Sequence, residues 1–215
     1  MNKYFKESIH WIFILLPFIY LVAIYNSLPQ EVPIHFNFKG EADDWTDKTM
    51  LFLLPAGLGL FIYFLMLLVP SIDPKRKIQQ MGSKYFNFRL ILTIFFSVLS
   101  VYLIYVTKEG SLQNPNILVS LIGILFIMMG NYFQTVRPNY FVGIRTPWTL
   151  ENEQVWKKTH RLGGKIWVAG GIIIVLLGFL IKNVTAMLIC FFGLIFIMVL
   201  VPIVYSYMEF QKKPV

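Results

Sequence analysis

The chain has 215 residues, of which 57% are hydrophobic and only 14% are charged. Soluble domains carry roughly a quarter charged residues, so this composition excludes an ordinary soluble protein and indicates a membrane protein. The formal net charge of +8 is compatible with nucleic-acid binding, but the positions of the basic residues point to a different explanation.

Six segments are long and apolar enough to cross the roughly 30 Å hydrocarbon core as helices. The first is interpreted as a retained span, because its apolar run is too long for a signal peptide and no small-x-small cleavage site follows it. Pro17 and Pro55 predict kinks in the first two spans, and a tight turn at Lys182 and Asn183 joins the last two into a hairpin. The predicted spans cover approximately residues 9–28, 49–70, 88–107, 116–134, 165–182 and 184–205.

The basic residues predict the orientation of these spans. With a cytoplasmic N-terminus, 15 of the 19 lysines and arginines lie inside, and Lys39, Lys48, Lys108 and Lys182 lie outside. Cytoplasmic loops of membrane proteins are enriched in lysine and arginine, so both termini are predicted to be cytoplasmic. The basic excess therefore reflects topology, and direct nucleic-acid binding is not predicted.

No acidic or basic residue lies in the middle of a predicted span, whereas ion-coupled transporters usually need such a group there. Arg89 and Lys165 lie at inner span ends, and their side chains are predicted to extend to the membrane interface. A small-solute transporter and an envelope-stress sensor remain alternatives, because neutral solutes need no embedded charge. His10, His35 and His160 are predicted to lie apart, so neither an enzyme nor a cofactor is expected.

The segment 29–48, between the first two spans, is predicted to be extended. Pro29 and Pro33 disfavour helix, residues 32–38 alternate as in a strand, and Gly40 suits a turn. The spacing of His35 and the acidic residues after it matches no metal-binding pattern, so no metal site is predicted. We interpret the segment as a short extracytoplasmic cap over the outer helix ends.

The segment 135–164 is predicted to contain an ordered loop, Asn139 to Arg145, followed by a helix. Thr146 or Thr149 is suited to the N-cap of this helix, and Pro147 to its first turn. Glycines at 163 and 164 are predicted to end it. The helix is expected to be amphipathic and to lie on the cytoplasmic face of the membrane.

Two interpretations of this cytoplasmic segment remain open. In the first, Arg145 satisfies loop carbonyls or a lipid phosphate, and Trp148 rests at the interface. In the second, Arg145 forms a docking surface for a partner protein together with Trp148 and Trp156, because arginine and tryptophan are enriched at binding hot spots.

Residues 139–171, NYFVGIRTPWTLENEQVWKKTHRLGGKIWVAGG, resemble the signature of the SdpI-like membrane proteins. The earlier stretch LPQEVPIHFNFKGEADDW is similar to a small extracytoplasmic domain at the start of that family. These proteins give bacteria immunity to a secreted sporulation-delaying peptide toxin. The resemblance implies protection from such a toxin, and retention of a cytoplasmic autorepressor at the membrane when the toxin is present.

The resemblance also implies a domain organisation and two sets of contact residues. The first two spans with the outer loop occupy 1–70, the next two spans 71–134, and the SdpI-like segment 135–215, with its hairpin at 165–205. Repressor contact is expected at Gly143, Ile144, Arg145, Thr146, Pro147, Trp148, Thr149, Trp156 and Arg161. Toxin contact is expected near Pro33, His35, Phe36, Asn37 and Gly40.

Overall fold

The computed structural model of the protein describes residues 3–37, 40–74, 76–112 and 114–212. It is 77% helical, which confirms the predicted class of an all-α polytopic membrane protein. Within the described residues, six helical segments are long and apolar enough to cross a membrane. They are Glu7–Ser27, Lys48–Ile72, Ser83–Glu109, Pro115–Phe133, Glu153–Leu180 and Val184–Gln211.

The described residues contain eight α-helices and two strands, together with short 3-10 and π-helical turns. The elements in chain order are α1 (Lys3–Ile24), β1 (Glu31–Phe36), β2 (Ala42–Asp47), α2 (Leu53–Pro55), α3 (Ile62–Ile72), α4 (Ser83–Glu109), α5 (Pro115–Phe133), α6 (Pro147–Glu151), α7 (Glu153–Leu180) and α8 (Val184–Gln211). The chain forms two compact units. The first comprises the residues up to Leu67 with Arg89–Pro115, and the second comprises Leu68–Phe88 with the residues from Asn116 onward.

The second span is irregular around its proline. It begins with a 3-10 turn, Lys48–Phe52, continues through the single turn of α2, and passes through a π-helical stretch, Ala56–Phe61, before α3. Proline lacks the amide hydrogen that the regular helix needs, so the hydrogen-bond pattern changes next to Pro55. Pro17 lies inside α1, which keeps its helix type from end to end.

The predicted strand is present, and it pairs with a second strand that the sequence pattern did not reveal. β1 and β2 form an antiparallel hairpin, with Glu31 opposite Asp47 and Phe36 opposite Ala42. Gly40 lies in the connecting turn at φ +81°, a left-handed conformation that glycine adopts without strain. The hairpin therefore confirms the extended structure and the turn predicted for this segment.

This hairpin, residues 31–47, packs against the helices of its own unit, the first, through one fully buried side chain. Val32 lies in a core cluster with Leu21, Leu28, Leu51 and Ile104. Backbone and hydroxyl contacts add to this apolar anchor: the amide of residue 112 donates to the carbonyl of residue 40 at 2.9 Å, and the hydroxyl of residue 107 to the carbonyl of residue 33 at 3.3 Å. The hairpin is thus attached to the first unit at both its base and its turn.

Asp47 connects the hairpin to the second span. Its carboxylate accepts a hydrogen bond from the backbone N–H of Thr49 at 2.8 Å and caps the 3-10 turn that follows. That backbone N–H holds the pKa of Asp47 below its ordinary value. The cap is therefore charged at neutral pH, as suits the start of a helical segment.

In the second unit, α7 and α8 form the predicted helical hairpin. Residues 181–183 connect them, and the Asn183 side chain caps α8 by accepting from the Ala186 amide at 2.9 Å. Near the other end of the pair, Glu209 of α8 accepts from Lys158 of α7 at 2.6 Å and from Lys212 at 2.9 Å.

The prediction of a separate amphipathic helix ending at the paired glycines is wrong. The structure divides the predicted helix at Asn152 into α6 and the first part of α7, and α7 runs without a break through Gly163 and Gly164. Packing outweighs the low helix propensity of glycine here. A methyl group at Gly163 would overlap the Ile144 side chain, and one at Gly164 would lie 2.6 Å from the carbonyl oxygen of Gly130.

Glycines also allow α5 and α7 to approach until their backbones touch at two levels. A methyl group on Gly130 would lie 2.7 Å from the carbonyl oxygen of Gly164, and one on Gly171 would lie 2.6 Å from that of Gly123. The two glycines on each helix are seven residues apart and so fall on one face. Small residues at such positions drive close helix packing in membranes.

Candidate functional site

The loop between α5 and α6, residues 134–146, is organised by the side chain of Asn139. The Asn139 side chain accepts hydrogen bonds from the amides of Phe141 and Val142 at 2.8 and 2.7 Å, and donates to the carbonyls of Arg137 and Val142 at 2.7 and 3.0 Å. Asn139 is buried, so these bonds satisfy its amide where water is excluded. They confirm the prediction of an ordered loop.

His160 anchors the next part of this loop. The Ile144 amide donates to His160 Nε2 at 2.9 Å, and His160 Nδ1 lies 2.9 Å from the carbonyl oxygen of Trp156. A backbone amide can only donate, so Nε2 must accept and Nδ1 must carry the proton. The arrangement therefore requires a neutral imidazole with a defined tautomer.

Two aromatic residues and a glycine complete this anchor. The rings of Trp156 and His160 stack with their centroids 4.0 Å apart, and Trp156 Nε1 donates to the carbonyl of Val136 at 2.9 Å. Gly143 has φ +117°, and a side chain there would overlap His160 Nε2. The loop can thus cross the buried ring pair only with glycine at this position.

The end of the loop is a capping box, which confirms Thr146 as an N-cap and Pro147 in the first turn of α6. Thr146 Oγ1 accepts from the Thr149 amide at 3.2 Å, and Thr149 Oγ1 accepts from the Thr146 amide at 2.9 Å. Thr146 Oγ1 also lies 3.1 Å from the hydroxyl of Ser206 on α8. The cap therefore ties the loop to the C-terminal helix.

The exposed part of the predicted cytoplasmic site is smaller than expected. Arg145 and Pro147 are exposed, Trp148 is half-buried against Tyr207, and the Arg145 guanidinium donates to the carbonyl of Tyr140. We call the exposed patch formed by Tyr140, Arg145, Pro147 and Trp148 the arginine patch.

Several residues predicted to contact a repressor lie in the interior. Trp156 and Thr149 have no exposed surface and Thr146 is only 7% exposed, so a docking surface that includes Trp156 is wrong for this conformation. Trp156 serves instead to support the loop. Arg161 is exposed, and its side chain forms no hydrogen bond or ion pair with the residues that the structure describes. The structure therefore does not bring it into the arginine patch.

A cavity of about 230 Å³ lies beside the arginine patch. Its walls are mainly apolar and come from four parts of the second unit: the end of α5, the loop, α7 and α8. The lining residues include Ile144, Arg145, Trp167, Met198 and Pro202. The arrangement offers an apolar recess with a cation in its wall, which suits binding of a side chain.

The residues predicted to contact a toxin are divided between the surface and the interior of the β-hairpin. Pro33 and Gly40 are buried, Phe36 and Asn37 are half-buried, and His35 is exposed. His35 Nδ1 pairs with Asp43 at 2.5 Å. The apolar exposure of the hairpin comes instead from two residues outside the predicted set, Ile34 and Trp45, which are 52% and 53% exposed.

A partly buried ion pair in the first unit was missed in the sequence. The guanidinium of Arg89, a side chain predicted to extend to the interface, donates two hydrogen bonds to the Glu7 carboxylate at 3.1 and 2.8 Å. Tyr63 donates to the same carboxylate at 2.7 Å, and His10 lies 2.9 Å from the hydroxyl of Thr93. This polar cluster joins α1, α3 and α4 within the candidate spans.

The comparisons with known proteins agree with the order of these elements. Residues 135–206 match the model of the SdpI/YfhL protein family, and residues 12–59 match a domain of unknown function (DUF1648). The chain is 30% identical over 176 residues to a protein of Bacillus subtilis (strain 168) named "Immunity protein SdpI", covering 81% of this chain and 82% of that protein. No solved structure matches the chain.

Proposed function

Because the chain belongs to the SdpI/YfhL family of multi-pass membrane proteins, we propose that it protects a bacterial cell against a secreted peptide toxin. One observation carries the proposal: the 30% identity to an immunity protein extends over 81% of the chain, so it is not confined to one segment. Likeness that covers most of the chain supports a shared role better than likeness in one motif.

The proposal places the protein in the cytoplasmic membrane, with both termini and the 134–146 loop inside and the β-hairpin outside. The distribution of lysine and arginine supports this orientation. It describes a binding protein rather than an enzyme. In support, the three histidines have separate partners: His10 is near Thr93, His35 near Asp43, and His160 holds the Ile144 amide.

The β-hairpin is proposed to meet the toxin through its exposed residues. Ile34 and Trp45 give the hairpin exposed apolar area, while Asp43 and Asp44 are exposed next to Trp45 in the chain. An apolar and acidic surface suits a peptide with apolar and basic side chains. Pro33 and Gly40 are buried, so their part in this surface is to shape the hairpin rather than to touch the peptide.

Replacement of both exposed apolar residues, Ile34→Ser with Trp45→Ser, is expected to lower protection against the sporulation-delaying peptide. Each side chain is about half exposed, so the hairpin itself should remain folded while the apolar contact is lost. We expect the peptide concentration that halves survival to fall roughly tenfold or more toward that of unprotected cells.

Val32→Ser is the informative comparison, because Val32 is fully buried beneath the same hairpin. It should reduce the amount of folded protein, whereas the double surface variant should reach the membrane at the normal level. Full protection by the surface variant at normal abundance would remove the hairpin from the toxin site.

The arginine patch is proposed to bind a cytoplasmic repressor. Arg145 supplies a charged group with five N–H donors, Trp148 supplies aromatic area, and the adjacent 230 Å³ cavity suits an apolar side chain of the partner. The burial of Trp156 supports a rigid platform under the patch, which reduces the entropy cost of binding.

Arg145→Ala is expected to prevent membrane recruitment of the proposed cytoplasmic repressor. The measurement uses a fluorescent fusion of a small winged-helix regulator, where one is encoded near this gene, and follows its membrane-bound fraction in cells treated with the peptide. Arg161→Ala is the matched control, because Arg161 is exposed on α7 and makes no described ion pair. Undiminished recruitment by Arg145→Ala, at normal insertion, would exclude the patch as the docking surface.

A further inference from the structure

A second recess in the second unit is polar and carries an excess of positive charge. It has a volume of about 560 Å³ and is lined by four basic side chains and two acidic ones. We call it the basic groove. The charged lining residues are Lys77, Lys84, Arg137, Lys157, Glu151 and Glu153.

Only one of the four cations in the basic groove has a carboxylate partner. Lys157 pairs with Glu153 at 2.9 Å. Lys77, Lys84 and Arg137 form no ion pair and no side-chain hydrogen bond with the residues that the structure describes. Glu151 and Glu153 also line the groove, and Glu153 interacts electrostatically with Lys77 and Arg137, so four cations face two carboxylates. An anionic ligand would relieve the repulsion that the excess positive charge causes.

The position of the groove identifies the kind of anion. Lys84 is the second residue of α4, Arg137 follows the end of α5 by four residues, and Glu153 is the first residue of α7. All three lie at or just beyond the ends of candidate membrane spans, which puts the groove near the expected level of the lipid headgroups. In the orientation proposed above, on which this inference rests, that level belongs to the cytoplasmic leaflet, which is rich in anionic lipid.

We propose that the basic groove binds the phosphate-bearing headgroup of an anionic phospholipid. Lys84 and Arg137 contact the phosphate, with the planar guanidinium able to bind two of its oxygens. The amides of Gln80 and Gln134, which also line the groove, supply neutral donors for the rest of the headgroup. Glu151 in the same wall belongs to α6, so a bound lipid fixes the position of the helix that follows the 134–146 loop.

The test compares lipid binding by the full-length protein in detergent, using native mass spectrometry. Phosphatidylglycerol and phosphatidylcholine with identical acyl chains are titrated against the wild type, Lys84→Gln/Arg137→Gln, and Lys182→Gln. Lys182 is an exposed lysine at the opposite end of α7, so it controls for the loss of charge alone. We expect preferential binding of phosphatidylglycerol by the wild type and by Lys182→Gln, and an affinity lower by about tenfold or more in the double variant.

Charge-conserving and competition experiments keep the result interpretable. Lys84→Arg/Arg137→Lys should retain the preference for phosphatidylglycerol, which separates loss of binding from loss of folding. Equal binding of the two lipids by the wild type, or undiminished binding by Lys84→Gln/Arg137→Gln, would overturn the proposal. Displacement of phosphatidylglycerol by millimolar inorganic phosphate would also overturn it, by assigning the groove to a soluble anion.

Discussion

Gly143→Ala is expected to release the 134–146 loop from α7 while leaving the helices inserted in the membrane. The added methyl group would overlap His160 Nε2, the atom that accepts the Ile144 amide, and φ +117° is strained for any residue with a side chain. The strain and the lost hydrogen bond together are expected to cost roughly 2–4 kcal/mol of local stability. Hydrogen exchange of the amides at 141–146 should become faster by the factor that corresponds to this loss of local stability.

Gly82→Ala separates backbone strain from overlap in this experiment. Gly82 also has a left-handed backbone, at φ +53°, but a methyl group there would meet no atom within 4 Å. We expect Gly82→Ala to lower stability only by the cost of the strained backbone at that position. Hydrogen exchange of the amides at 141–146 should be unchanged. Normal protection of these amides in Gly143→Ala would show that His160 does not hold the loop.

A double-mutant cycle tests the same contact from the other side. His160→Ala alone removes the acceptor of the Ile144 amide and should also release the loop. In the Gly143→Ala background, His160→Ala removes the atom that the methyl group overlaps. The double variant should therefore lose less local stability than the two single variants lose in total. If the stability losses of the two single variants add exactly in the double variant, residues 143 and 160 are not in contact.

Arg89→Leu is expected to lower the free energy of unfolding by about 3 kcal/mol, more than a substitution in any other ion pair among the described residues. The Arg89 side chain is 9% exposed and that of Glu7 is 27% exposed, so removal of the guanidinium leaves a poorly solvated carboxylate with Tyr63 as its remaining donor. Unfolding of the purified protein in detergent, followed by tryptophan fluorescence, measures the change.

Two variants define what this loss means. Glu7→Leu/Arg89→Leu should recover much of the stability, because neither charge is then left without a partner. Lys157→Leu breaks an ion pair that is 69% and 64% exposed, and we expect a change below about 1 kcal/mol. Equal effects of Arg89→Leu and Lys157→Leu would mean that water reaches the Glu7–Arg89 pair as freely as the surface pair.

The apolar spans and the local turn signals were predictable because each depends on residues close together in the chain. Helix length, the turn near Asn183, the strand that contains Val32 and the Thr146 cap all follow from local spacing and hydrogen-bond chemistry. The second strand was missed because β2 is rich in aspartate, which is unfavourable in strands, and it is held by its pairing with β1.

The features that the sequence did not predict depend on contacts between distant residues. Glu7 and Arg89 are 82 positions apart, so neither residue alone indicates that the other neutralises it. The sequence of Gly163 and Gly164 predicted a helix end, because it does not reveal that these glycines pack against Ile144 and Gly130. Trp156 resembled a hot-spot residue by composition, and its burial results from the loop that folds over it.

The most direct test of the proposed immunity function is survival of a toxin-sensitive bacterium exposed to the purified sporulation-delaying peptide. Cells carry either the wild-type chain or an empty vector, and membrane fractions verify the amount of inserted protein. We predict that cells with the chain survive a peptide concentration that kills those with the empty vector. Equal killing of both, with the protein present in the membrane, would contradict the proposed protection against this peptide.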